Sequence, residues 1–242
     1  MPRISKSEGI VIRRINYRES SMIVDILTRD HGLVGFIISG VRKKSAKTSP
    51  GIFTPGYILD LVYYENDPNK LWRIKEAGLA IHLKNTPYDI LRGNTALCIC
   101  ELLKKVLHSY DPSEELFLFT ERYILILDEI EKPGNVFLHF LVGLSVYLGF
   151  GPEERSLAGI DSYFDLKSGN FTKTDPAHPL TMEGRMCELL GALLGCEKEY
   201  MESIKMTRAE RHQLTGHLID FIRYHTHAFE NLRSYDVLKT LW

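Results

Sequence analysis

The sequence predicts an α+β protein: a small five-stranded β-barrel at the front of the chain, then an α-helical body with a short β-hairpin inserted in it. Three observations lead there. Over about the first 80 residues, short β-branched runs bounded by turn residues follow one another closely. Beyond Pro87 the apolar period lengthens from two towards 3.6. Between Tyr163 and Thr172 the short-run pattern returns inside the helical region. The expected domains are residues 1–83 and 84–242, with the hairpin near 162–174.

The first strand is expected over Glu8–Ile15 and is broken by Tyr17-Arg-Glu-Ser-Ser21. Met22–Thr28 follows as a second strand, and Arg29-Asp-His-Gly32 turns it into a third, Leu33–Ser39. Gly40–Gly51 has no apolar period and reads as a basic loop closed by proline and glycine. Tyr57–Tyr64 and Leu71–Ala77 complete the five, parted by the strong turn signal Glu65-Asn-Asp-Pro-Asn69.

Ile90, Leu91, Leu97, Ile99, Leu102, Leu103, Val106 and Leu107 suit one buried or amphipathic helix. Asp111-Pro-Ser-Glu-Glu places proline and acidic residues where a helix begins and opens another, through about Ile130. Val136–Phe150 is apolar nearly all round, which predicts the central helix of the body. Tyr163–Thr172 sets two short apolar runs around Lys-Ser-Gly-Asn, a hairpin pattern. Helices over about Thr181–Leu194 and Thr207–Phe229 complete the body.

With 44% apolar and 25% charged residues the chain can bury a core and is not generally disordered. No apolar run approaches the roughly 20 residues that cross a bilayer, and Met1–Gly9 lacks a signal-peptide core, so a cytoplasmic protein is expected. The cysteines Cys98, Cys100, Cys187 and Cys196 form no Cys-x-x-Cys pair and read as free thiols. The net charge of −1 conceals an asymmetry: residues 1–83 hold 13 Lys and Arg against 8 Asp and Glu, the remainder 17 against 23. A basic front on a near-neutral chain points to a local polyanion surface, with nucleic acid the first candidate.

Familiar catalytic patterns are incomplete. Gly35–Arg42 has two glycines but lacks the Lys-Ser/Thr of a phosphate loop, and it reads as strand. Gly143-Leu-Ser145-Val-Tyr147 misses the last glycine of a nucleophile elbow and falls within a helix. The nine histidines include no His-Glu-x-x-His, and His225 and His227 would stand about 200° apart on a helix. Cys98 and Cys100 likewise point apart. No catalytic residue, metal site or cofactor is therefore expected.

The positive signal is cationic. Arg42, Lys43, Lys44 and Lys47 in the loop after the third strand join Arg13, Arg14 and Arg18 near the end of the first as candidate DNA contacts. Tyr17 is the aromatic candidate beside them, and Tyr57, Tyr63, Tyr64 and Trp72 are further rings that could stack on bases. The same composition also fits a solvated loop and ordinary core aromatics.

Glu8-Gly-Ile-Val-Ile-Arg13, Tyr17-Arg-Glu19, Ile23-Val-Asp-Ile-Leu-Thr-Arg-Asp-His-Gly32 and Gly40-Val-Arg-Lys-Lys-Ser45 are followed by Phe53-Thr-Pro-Gly-Tyr57, Leu148-Gly-Phe150 and Leu232-Arg-Ser-Tyr-Asp-Val-Leu238. In that order, over most of its length, the chain resembles the RecO family of bacterial recombination mediators and DNA-repair proteins. The resemblance implies an OB-fold at the front and DNA binding, to single and double strands, without nucleotide hydrolysis. It also implies partnership with RecR and with the acidic, apolar C-terminal tail of single-stranded DNA-binding protein. Annealing of complementary strands and help in loading RecA onto coated strands go with it.

The chain departs from that pattern in two places. Many members carry a four-cysteine zinc knuckle after the Leu-Gly-Phe stretch, whereas Pro152–Met186 holds no cysteine, so no zinc is expected. A basic residue is also common in the family where Met22 stands. For the partner tail, Arg122, Lys132 and Arg185 are candidate cations in the helical body. The rival readings are a protein scaffold without direct DNA contact and a metal-dependent nuclease.

Overall fold

The computed structural model describes residues 3–43, 48–108, 111–153 and 155–242. Five strands at the front form β1 (Ile4–Tyr17), β2 (Ser21–Thr28), β3 (Gly32–Ile38), β4 (Ile58–Tyr64) and β5 (Trp72–Leu79). They close into a barrel in the order β1-β2-β3-β5-β4, with β4 pairing back onto β1. All pairings are antiparallel except β3 with β5. This is the OB-fold barrel that the resemblance implied.

The barrel closes because its apolar residues alternate. Val24 and Ile26 on β2, Val34 and Phe36 on β3, Leu59 and Leu61 on β4, and Trp72 and Ile74 on β5 share one buried cluster inside it. A bulge between Val11 and Arg13 resets the phase of β1, so Val11 points inward while Arg13 faces solvent. Phe53, in a 3-10 turn over Pro50–Phe53, and Val41 join the same interior.

The chain divides into two compact units, Met1–Asp128 and Glu129–Trp242. The first holds the barrel with two helices, α1 (Ile90–Val106) and α2 (Glu114–Glu129). Asp89 caps α1 by accepting the Arg92 N–H, and Ser113 Oγ accepts the Leu116 N–H at the start of α2. Cys100 Sγ lies 3.5 Å from the Val11 carbonyl, and Arg29 bridges Glu8 on β1 and Glu114 on α2 at 2.8 and 2.9 Å. The connection leaving the barrel is tied down by Asp128, which accepts the backbone N–H groups of Lys84, Asn85 and Thr86 at 2.7–2.9 Å.

In the second unit α3 (Val136–Tyr147) is buried along most of its length and packs with α4 (Arg185–Gly195) and α5 (Arg208–Thr226). A capping box of Thr207 and Glu210 starts α5, and α6 (Arg233–Leu241) ends the described chain. The inserted element has β6 (Tyr163–Asp165) and β7 (Asn170–Thr172) as its hairpin and gains β8 (Thr181–Glu183) on the other side of β6. Phe164, Phe171 and Met182 are buried in it, and Phe164 meets Phe221 of α5 at 5.4 Å between ring centres.

Three helical expectations need correction. Residues 181–183 are strand, because Met182 pairs with Phe164, and the positive φ of 57° at Gly184 turns the chain before α4 begins at Arg185. The helix expected to Phe229 stops at Thr226, where His227 adopts a left-handed conformation. Nor was α6 foreseen, since its short amphipathic pattern overlaps the family-like closing segment.

Candidate nucleic-acid interface

Antiparallel pairing brings the end of β1, the start of β2 and the end of β3 to one end of the barrel. The turn Arg18–Ser20 and the loop after β3 are latched there. Arg42 donates its backbone N–H to the Ser20 carbonyl at 3.1 Å and Nη1 to the Arg18 carbonyl at 3.2 Å. Arg18 holds a left-handed backbone, with φ of 51°, and its guanidinium lies 5.1 Å from the centre of the Tyr17 ring. Lys43 is exposed next to Arg42, its N–H turned back to the Gly40 carbonyl. Arg18, Arg42, Lys43 and Tyr17 are thus brought together. Lys44 and Lys47 lie outside the described residues.

Arg14 points elsewhere, towards the 3-10 turn, with Nη1 3.3 Å from the Pro50 carbonyl and 3.4 Å from Thr54 Oγ1. Among the described residues Arg14, Arg18, Arg42 and Lys43 are exposed and have no carboxylate partner, although Glu19 shares the Arg18 turn. Arg13 differs: its Nε lies 2.7 Å from Asp25 Oδ2, and Lys104 Nζ of α1 approaches the same oxygen at 3.2 Å. Asp25 is buried, so its ion pair ties Arg13 into the structure joining β1, β2 and α1.

Two of the candidate rings are corrected. Tyr63 and Trp72 are interior, 5.5 Å apart and grouped with Phe36 and His31. Burial, then the charges of Asp30 and Glu65, pushes the Tyr63 phenol up to about 12. Tyr17, Tyr57 and Tyr64 are half-buried. Sequence reasoning missed Arg73 and Lys75: alternation along β5 turns them outward, and Arg73 pairs across the parallel ladder with Ile37 of β3. The pattern Trp-Arg-Ile-Lys carried that signal, but nothing local tells which strand β5 adjoins.

Burial pushes the Cys100 thiol up to about 12, so it stays protonated at neutral pH. No group of three or more His, Cys, Asp or Glu side chains among the described residues is placed to share a metal ion. No helix is long and apolar enough to cross a membrane. The tail candidates Arg122, Lys132 and Arg185 are all exposed, and Arg185 is ion-paired with Glu188 and Glu210.

Residues 1–81 match the family model described as Recombination protein O N terminal, and residues 87–235 match Recombination protein O C terminal. The chain is 30% identical over 243 residues to a DNA repair protein RecO of Phocaeicola vulgatus, covering 99% of both chains. It is 31% identical over 244 residues to that of Bacteroides fragilis, at 99% coverage of each, and 26% identical over 239 residues to that of Flavobacterium psychrophilum, at 98% of each. From both halves of its length, the chain belongs to the RecO family of DNA repair and recombination proteins.

Proposed function

We propose that the chain is a recombination mediator that binds DNA through residues 1–83 and works without bond-making chemistry. The observation that carries this reading is the cluster of Arg18, Arg42 and Lys43 at one end of the barrel, exposed and free of carboxylate partners among the described residues. Cations so arranged take up phosphates and release counterions, whatever the base sequence. Lys44 and Lys47 add charge to the same loop.

Single and double strands both present phosphates, so both are ligands in this reading. Neutralising two strands lowers their repulsion while the bases stay accessible, and annealing follows. Acting with RecR, the protein helps RecA onto strands coated by single-stranded DNA-binding protein, at DNA in the cytoplasm. The tail of that protein docks on residues 84–242, with Arg122, Lys132 or Arg185 as the cation beside an apolar contact.

Fluorescence anisotropy of labelled single-stranded and duplex DNA over a salt series, with and without magnesium, tests the reading. Arg18→Glu, Arg42→Glu and Lys43→Glu together should abolish binding at moderate salt while the circular dichroism spectrum is kept. Unchanged affinity at low salt, or magnesium-dependent degradation of the labelled strand by the wild-type chain, would overturn it.

A further inference from the structure

Three basic side chains of α5 share one face, and the last turn of α6 lies on them. Arg208, Arg211 and His212 stand at i, i+3 and i+4 from the start of the helix. Arg208 Nη2 donates to the carbonyls of Lys239 and Thr240 at 3.2 Å each, oxygens that the end of α6 leaves without helical partners. Trp242 closes the contact. Its ring centre lies 5.4 Å from that of His212, 6.0 Å from that of Tyr235 and 5.9 Å from the Arg211 guanidinium carbon. Tyr235 Oη donates to the His212 carbonyl at 3.1 Å.

A cation beside a helix C-terminus is an ordinary way to satisfy carbonyls, and it accounts for Arg208. It does not account for the other two. Arg211 is half-buried against Gly134, its Cζ 3.3 Å from where a Cβ on that glycine would stand. Of its five donors only Nε finds an acceptor among the described residues, Asn135 Oδ1 at 3.2 Å. His212 buries Nε2 with no hydrogen-bond partner among those residues. None of the three meets a carboxylate there either, since Glu210 goes to Arg185 and the Thr207 cap, and Asp236 to Lys239. Buried donors left without an acceptor mark a place built for one. The capping box occupies Thr207 and Glu210, so the place rests on side chains and not on the helix end.

We propose that Arg208, Arg211 and His212 form a binding site for a phosphate monoester, whose oxygens take the places of the Lys239 and Thr240 carbonyls, and that its binding lifts α6 from α5. A tetrahedral dianion has oxygens enough to accept from two guanidinium forks and an imidazole at once, where a carboxylate has two. The present occupant is weakly held. Leu238 is the one buried residue of α6, Val237 is 49% exposed, and a helix of this length has little stability by itself. Burial, then the charge of Arg208, holds the His212 imidazole below its ordinary value; the Lys239 backbone opposes this, and the charges of Arg211 and Lys239 add to it. The ring is therefore neutral at neutral pH and takes up a proton as the anion arrives, so acidification should favour the bound, unlatched form.

The test uses the full chain, with inorganic phosphate as the probe and potassium chloride at matched ionic strength as its control. Trp242 reports, because the other tryptophan, Trp72, is buried in the barrel. Phosphate at about millimolar concentration should shift the emission to the red in a saturable way, and Trp242→Phe should remove the shift. Arg211→Gln should weaken binding about tenfold or more. Sulfate, a dianion from about pH 8 to about pH 6, should bind the unaltered chain severalfold tighter at the lower pH, and His212→Gln should abolish that dependence while binding persists.

An emission that phosphate leaves unchanged, or that chloride shifts equally, overturns the site, and that comparison needs no variant. So does an Arg211→Gln chain with an unaltered circular dichroism spectrum that binds phosphate as tightly as the original. Oligothymidine with and without a 5′-phosphate separates the two sources of the monoester. A Trp242 shift with the phosphorylated strand alone supports the site and assigns it to a strand end; a shift with inorganic phosphate and with neither strand supports it and assigns it to a free phosphate.

Discussion

Asp128 sits buried at the end of α2 and gathers three backbone N–H groups from residues 84–86, the strand's exit from the barrel. Burial favours its neutral form, but the N–H groups of Thr86, Lys84 and Asn85 together outweigh that and hold the carboxyl below the usual carboxylate range. A folded-state pKa below the unfolded one means the stabilisation is complete at neutral pH and is lost as pH falls through the depressed value. Asp128→Asn presents an amide NH2 to an N–H it cannot accept, and should cost about 2–3 kcal/mol in urea unfolding at neutral pH. The gap between variant and wild type should narrow on acidification; a gap that is constant with pH would show that the charge is immaterial. Gly32 is a second single-residue constraint. Its φ is +64°, and a Cβ there would stand 2.2 Å from the Asp111 carbonyl oxygen. Gly32→Ala should therefore destabilise the first unit by at least about 2 kcal/mol, read as a lower urea midpoint, and an unshifted midpoint would mean that this approach relaxes freely.

Elements with strong local signals were legible: five β-branched runs between turn residues became five strands, and the long 3.6-period segments became α1, α2 and α3. What escaped depends on contacts distant in sequence. Thr181–Glu183 is three residues long and becomes strand only because Phe164 and Asp165 lie beside it, so local periodicity assigned it to the following helix. The parallel β3–β5 pairing that closes the barrel joins residues with β4 and the loops on either side of it between them, and it alone sets Arg73 beside Ile37. Aromatics suffer the same ambiguity: Tyr63 and Trp72 are equally at home inside a barrel or on it, and register places them inside. Of the candidate site, Arg18, Arg42 and Lys43 were legible as a cationic pair of loops. The pairing of Arg13 with Asp25 was not, because the bulge after Val11 decides which residues of β1 face β2's carboxylate.

At the scale of the whole molecule, the basic excess of residues 1–83 and the acidic excess of residues 84–242 leave a chain with net charge −1. A phosphate chain close to such a molecule responds to local charge, because screening confines exposed charges to about 10 Å at ordinary ionic strength. The net value therefore says little about DNA affinity, and where the cations lie says nearly everything. That separates two ways of removing three positive charges. Arg18→Gln, Arg42→Gln and Lys43→Gln should lower the single-strand salt slope by about 2, with a matching loss of affinity at moderate salt. Lys132→Gln, Lys167→Gln and Lys205→Gln change net charge equally, at exposed positions of the second unit. They should leave affinity within about twofold and the slope unaltered, since no phosphate contact is lost. Equal losses in the two triple variants would mean that DNA answers to total charge, or engages both units, and that the end of the barrel is not its seat.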